Sequence, residues 1–246
     1  MDLGIAGRTA AVAAGSAGLG LASARALAAD GVRVAICGRH RDRLDEALGS
    51  LAPVDVGDHV ALVADVGTPD GASGFVTAAA EALGASPDIL VTNAGGPPPG
   101  TFASTPLEAY PDALALNLLS VVAMCQAAVP AMRERRWGRV VAITSMSVKQ
   151  PIGTLILSNT ARAGATGFLK TLATEVAADG VTVNSVLPGL HATDRLLSLY
   201  GGDTSGVVVG DPADFGSVVA FMCSEHARFI SGAAIPVDGG AYPGLL

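Results

Sequence analysis

The stretch 9–20, Thr-Ala-Ala-Val-Ala-Ala-Gly-Ser-Ala-Gly-Leu-Gly, has residue types and spacing that suit the binding of an anion. A short apolar run ends in a glycine-rich turn, and a helix-like segment over 21–30 follows at once. Glycines let the backbone approach a pyrophosphate, and free N–H groups and the helix dipole attract the anion. Gly15, Ser16, Gly18, Leu19 and Gly20 make this turn, with Gly18 and Gly20 the strong positions; an ordinary strand-to-helix turn reads the same way. About twenty residues further on, a site that prefers NAD would place Asp or Glu against the ribose hydroxyls. Here the chain reads Cys37-Gly38-Arg39. Gly38 leaves room and Arg39 can pair with a 2′-phosphate, or it opens the next helix facing water. Asp65, ending a third apolar run before Val66, could accept from an adenine amino group or serve as a turn residue. Asn93-Ala94-Gly95-Gly96 would let a flat ring approach, and Pro97-Pro98-Pro99 gives a stiff polyproline segment beside it. His191 has the intrinsic pKa for acid–base work, although a lone histidine serves a loop as readily as a reaction.

These residues stand at the ends of short apolar runs that alternate with helical patterns along the whole chain. Strands are expected over 9–14, 32–37, 59–64, 88–92, 139–144, 180–187 and 233–237. Helices are expected near 18–30, 41–51, 69–84, 106–135 and 158–179. Short apolar strands separated by helices mean a parallel sheet covered on both faces. The expected fold is therefore α/β: a Rossmann-type, doubly wound, parallel seven-stranded sheet with helices on both faces. With no linker, repeat or low-complexity tract, 1–246 reads as one domain. Ligands in such sheets bind at the carboxyl ends of the strands, at the switch point.

Composition narrows the partners. Half of the residues are hydrophobic and the net charge is −7 with no basic cluster, so neither nucleic acid nor an anionic membrane is expected. No basic-then-apolar leader opens the chain, and Cys37, Cys125 and Cys223 are odd in number and far apart, without metal spacing. Reduced thiols in a cytoplasmic protein, and no metal site, are the expectation. The run 113–132 has membrane length without a charge, but Asn117, Ser120, Gln126 and Pro130 argue against a span. Leu114, Leu118, Val121, Cys125, Val129 and Met132 share one helical face, while Leu116, Leu119 and Ala123 cover much of the rest. One side is expected on the sheet and the other on a second subunit of a homodimer or homotetramer.

Asn93-Ala94-Gly95, Asn117, Ser145, Pro188-Gly189, Thr193 and Asp238-Gly239-Gly240, in this order, resemble the short-chain dehydrogenase/reductase family, and the likeness covers nearly the whole chain. Within the family it is similar to the β-ketoacyl-carrier-protein-reductase-like members. The resemblance implies that Asp65 and Val66 contact adenine, that Asn93, Ala94 and Gly95 line an NADP(H) site, and that Pro188, Gly189 and Thr193 reach the nicotinamide end. It also shows two departures. The family's first turn reads Thr-Gly-x-x-x-Gly-x-Gly, which puts Ala13 and Ala14 at the first two places. Gly15, displaced by one residue, is expected to supply the missing flexibility.

The second departure is catalytic. The family uses Asn, Ser, Tyr and Lys, and counting thirteen residues from Ser145 reaches Ser158, with Arg162 at the Lys position. In the family's reduction a hydride leaves the nicotinamide and Tyr protonates the carbonyl oxygen. A phenol near pKa 10 can be tuned for this, whereas an aliphatic hydroxyl is a far weaker acid. Arg162 stays protonated but can clamp ribose hydroxyls or stabilise an oxyanion. His191 near the nicotinamide, Tyr110 and Tyr200 are other proton sources, and Lys149 borders the mouth or faces water. The segment 194–210, with Gly201-Gly202 and Gly206, reads as a short, mobile substrate lid. Two classes of function are open. One is an NADPH-dependent, ketoreductase-like oxidoreductase of a carbonyl-containing small molecule or acyl/polyketide-type substrate, with an atypical proton donor. The other is a non-redox catalyst, such as a cyclase or dehydratase, or a non-catalytic binding protein on the same fold.

Overall fold

The computed structural model describes residues 1–199 and 206–245. Tyr200 and the Gly201-Gly202 pair lie outside the described residues. Seven strands, β1 (Thr9–Val12), β2 (Arg33–Gly38), β3 (Val60–Val63), β4 (Ile89–Thr92), β5 (Gly138–Ile143), β6 (Val181–Pro188) and β7 (Ala234–Val237), form one sheet in the order β3-β2-β1-β4-β5-β6-β7. Every neighbouring pair is parallel, from Thr9 opposite Arg33 to Pro188 opposite Val237. The order reverses between β1 and β4, so the carboxyl ends of these strands frame the crevice where such sheets take ligands.

Helices α1 (Gly18–Ala29), α2 (Arg41–Gly49), α3 (Pro69–Leu83), α4 (Tyr110–Leu114), α5 (Ser120–Arg135), α6 (Ile156–Val176), α7 (Asp194–Leu199) and α8 (Pro212–Met222) cover both faces. Alternation along β1 divides the core. Ala11 and Ala13 join the layer under α3, α5 and α6, while Ala10 and Val12 join the layer under α1, α2 and α8. This is the period-2 geometry of a strand buried on both sides. The uncharged run over 113–132 is spent on the first layer: Val121, Met124, Cys125, Ala128, Val129 and Met132 are all buried there.

Three elements depart from the expected pattern, the first being α7, a helix at the start of the segment expected as a mobile lid. Helix α8, between β6 and β7, is absent from the expected set, although its signals are present. Asp211 caps it through Ala213 N at 2.8 Å and Pro212 occupies its first turn. The long helix expected near 106–135 is in fact α4 and α5 joined by a π-turn over Ala115–Leu119. One wide turn skips the usual bonding register there and redirects the side chain it carries, Asn117.

Candidate active site

The first turn is held where its backbone can face an anion. Gly15 N donates to Cys37 O at 2.9 Å, and Asn93 Nδ2 reaches Ala14 O at 3.5 Å. Ala14 takes the left-handed conformation at φ 47°, whereas Gly15 is not in that region. The expected flexibility of Gly15 is thus corrected. The residue that bends is an alanine, and Gly15 is required for contact, since a Cβ there would lie 2.9 Å from Ile36. Gly18 opens α1 at φ 54°, and a Cβ on Gly20 would strike Ala14 O. The cap residue of α1 is Ala17, which offers no side-chain acceptor to the first N–H groups. Those donors and the helix dipole therefore remain available to an anion. Leu19 contributes packing: it lies against the α1-side core, and its carbonyl accepts from Ser23.

At the end of β2, Gly38 lies so close to Ser16 that a Cβ would sit 2.7 Å from its Oγ. Arg39 beside it is exposed, and among the described residues no side-chain acceptor or carboxylate holds it. Asp65 is also exposed; one of its oxygens accepts from Gly67 N at 2.9 Å, a turn bond that leaves the other open. Val66 is buried in the core.

The ends of β4 and β5 gather the candidate catalytic residues. The π-turn points Asn117 inward, where Nδ2 donates to Gly95 O at 2.9 Å. Its Oδ1 is buried without a protein partner, as are the hydroxyl oxygens of Thr92, Thr144 and Ser147. Buried polar atoms are seldom left unpaired, so four of them around two strand ends mark a place made for a polar ligand or ordered water. Ala94 packs on the core beside them. Ser145 comes two residues after the end of β5, and its Oγ accepts from Ser147 N at 3.1 Å. Ser158 is buried in the first turn of α6. One turn later Arg162 is half-buried, and its Nη1 donates to Ile143 O at 3.2 Å and Thr144 O at 3.1 Å. Burial, and then the charge of Arg195, push the Arg162 guanidinium down to about 10. It therefore remains a cation at neutral pH.

Beyond β6, Gly189 N donates to Val237 O, and Gly189 lies so close to Asp238 that a Cβ would meet its Cα at 2.6 Å; Pro188 ends the strand. Thr193 stands beside Gly18, and its Oγ1 accepts from Leu196 N. His191 is buried, with Nδ1 3.3 Å from Gly189 O and its ring edge-on to Phe215 at 5.2 Å. It is thus enclosed by α8. Tyr110 is half-buried at the start of α4. Lys149 Nζ lies 5.6 Å above the ring of Tyr242 in the C-terminal segment.

Two further residues at this end carry no sequence motif. Arg195 reaches from α7 to Pro97 O at 3.1 Å and covers Gly96, where a Cβ would stand 2.9 Å from Nη2. Tyr242 meets Lys149 only through the fold. An arginine two residues past Thr193 is the available signal for the first; nothing local signals the second.

Residues 13–242 match the family described as enoyl-(acyl carrier protein) reductase. The chain belongs to the short-chain dehydrogenase/reductase family. Among curated relatives, it is 34% identical to the 3-oxoacyl-[acyl-carrier-protein] reductase MabA of Mycobacterium bovis, over 95% of this chain and 92% of that one. It is 32% identical to rabbit (Oryctolagus cuniculus) dehydrogenase/reductase SDR family member 4, over 96% and 94%. Among solved structures, L-sorbose reductase from Gluconobacter frateurii, complexed with NADPH and L-sorbose, is 30% identical with TM-score 0.88, covering 100% of both chains. An NADPH-bound short chain oxidoreductase from Pseudomonas aeruginosa, described as containing an atypical catalytic center, is 29% identical with TM-score 0.86, covering 96% of this chain and 97% of that one. The glycine turn, the uncapped start of α1 and the unpaired polar atoms beyond β4 and β5 fit a nicotinamide dinucleotide lying along this edge of the sheet.

Proposed function

We propose that the protein is an NADPH-dependent, ketoreductase-type oxidoreductase acting on a carbonyl of a small molecule or acyl chain, in which Ser158 and Arg162 stand where the family has Tyr and Lys. One observation carries this reading. An anion cradle with a free arginine at one end, and a hydroxyl–guanidinium–amide group at the other, lie along the same sheet edge. Gly15, Ser16, Gly18, Leu19 and Gly20 would hold the pyrophosphate, with Arg39 and Ser16 at the 2′-phosphate and Asp65 and Val66 at the adenine. Asn93, Ala94, Gly95, Pro188, Gly189, Thr193 and Arg162 would line the nicotinamide half. When bound, NADPH would supply the hydride for the carbonyl carbon.

The chain's own residues do the rest. Ser145 donates its hydroxyl proton as a hydrogen bond to the carbonyl oxygen. Arg162, fixed by two backbone carbonyls, places positive charge where that oxygen becomes negative. Asn117 holds Gly95 in place and turns an acceptor towards the ordered water that the unpaired oxygens of Thr144 and Ser147 invite. In this reading the new alkoxide takes its proton from solvent, relayed through the Ser145 hydroxyl and this ordered water, while Arg162 keeps its charge and His191 is packed against Phe215. In this reading the enzyme is a single domain, and of the lid expected over 194–210 the described parts are α7 and residues 206–210.

The test is transfer of deuterium from 4-deuterated NADPH to a panel of ketones, oxo esters and quinones. Deuterium is expected on the carbinol carbon of at least one product. No transfer to any of them, with NADPH binding intact, would favour a non-redox catalyst on this fold.

A further inference from the structure

Away from the site some basic side chains are ion-paired and others, such as Arg33, Arg136 and Lys170, rest on backbone carbonyls. Arg41, Arg133 and Arg139 each pair with a carboxylate, and the whole chain carries a net −7. At the catalytic end two arginines of the second kind stand together. Arg162 is held by the carbonyls of Ile143 and Thr144, and Arg195 by the carbonyl of Pro97. Neutral acceptors fix the two guanidinium groups without cancelling their charge. Among the described residues no carboxylate forms an ion pair with either of them or with Lys149, which stands at the same end after β5. Arg162 spends only Nη1 and Arg195 only Nη2 on these bonds, so each keeps donors of its planar fork in reserve. Both are anchored at the carboxyl ends of neighbouring strands, β5 and β4. Arg162 rises from α6 behind β5, while Arg195 comes over from α7 beyond β6 and rests on Gly96 beyond β4. They are close enough that the charge of Arg195 helps to hold Arg162 below the usual arginine range. Two like charges kept together over a cleft are relieved by an anion between them.

We propose that the substrate carries a carboxylate, seated between Arg162 and Arg195 so that its carbonyl faces Ser145. This rests on the reductase reading and narrows its substrate to oxo acids. The same guanidinium groups could be answered by a phosphate of the cofactor, but Gly18 and the open start of α1 already provide for that charge on the far side of Thr193.

The experiment separates the two anions and also separates binding from chemistry. Protein saturated with NADP⁺, in which no turnover occurs, is titrated calorimetrically with 2-, 3- and 4-oxopentanoate and with their methyl esters. At least one acid is expected to bind about tenfold or more tightly than its ester. Arg195→Gln, a change on an exposed side chain, is expected to erase that ratio while leaving NADPH affinity, read by fluorescence titration, within about threefold. Arg195→Lys should restore part of the ratio, because it returns charge without the fork. Equal binding of acids and esters by the wild type would overturn the proposal. So would a loss in Arg195→Gln that falls on NADPH while the acid-to-ester ratio stays intact. Tight binding of an acid without deuterium transfer from NADPH would sink the reductase reading and leave the anion site standing.

Discussion

At the scale of single residues, Arg162 has the most to lose. It is expected to both orient the nicotinamide ribose and face the developing oxyanion. Arg162→Ala should cut turnover by about 100-fold or more and weaken NADPH binding, with Arg162→Lys a partial rescue. Ser145→Ala should lower kcat while sparing cofactor affinity, and Ser158→Ala should change little. A large loss in Ser158→Ala, measured with the same deuterated cofactor, would return that hydroxyl to the role of acid. Arg39→Ala should reduce the preference for NADPH over NADH by about tenfold, the worth of one charge-assisted contact, measured by nucleotide fluorescence titration. The residue types at 39, 145, 158 and 162 are legible because each sits at a strand end or a fixed helical spacing. Arg195 and Tyr242 are not, since the return of two distant segments over the sheet brings them to the mouth.

At the scale of elements, the first turn carries a cost that can be removed. Ala14 at φ 47° occupies a conformation that a side chain disfavours by about 1–2 kcal/mol. Ala14→Gly gives back part of that gain by loosening the unfolded chain, so a net stabilisation of about 0.5–1 kcal/mol is expected. For a chain of this length that raises Tm by about 1–4 °C in a calorimetric scan. An unchanged or lower Tm would mean that the turn is not strained at Ala14. The seven strands and the sheet they form are readable from apolar runs alone. The π-turn is not, because a skipped bonding register leaves no composition signal, and a run of Ala, Leu and Asn over 115–119 reads as plain helix. Helix α8 has its Asp-Pro start in plain view, but the glycine-rich stretch just before it extends the look of a loop across the boundary.

For the molecule as a whole, the three thiols set a limit at high pH. Burial pushes Cys37, Cys125 and Cys223 each up to about 12 in the folded protein, against about 8.5 for an exposed thiol. Above about pH 9 the unfolded chain has released protons that the fold retains, so stability is full below that pH and falls as pH rises towards 12. Each thiol accounts for about 1.4 kcal/mol per pH unit, three together for about 4. Arg162 acts in the opposite sense only above about 10. Chemical unfolding tracked from pH 7 to 11 should show this decline, and replacing all three cysteines by Ala should flatten it. Assembly is argued at the same scale. Gly164 and Gly167 are exposed on α6, and a Cβ on Gly167 would meet nothing, so this face has room for a neighbouring helix. A dimer or tetramer is expected by light scattering at micromolar concentration, with Gly167→Arg shifting it to monomer.

The bond from Arg195 to Pro97 implies an order of events. Its two ends differ in stiffness. Pro97 begins a polyproline run that is tied down where Gly100 N meets Thr154 O at 2.7 Å and Ile156 N meets Gly100 O. Arg195 stands on a six-residue helix capped by Thr193. An entering ligand is therefore expected to displace the arginine rather than the proline wall. A substrate that arrived first would draw Arg195 down onto itself and shut the cleft before the nucleotide could pass. A nucleotide that arrived first, beside Gly18 and Thr193, would leave Arg195 free to close on the proposed carboxylate. Steady-state kinetics should accordingly be compulsory-order: NADP⁺ competes with NADPH alone, and the alcohol product inhibits non-competitively against the nucleotide.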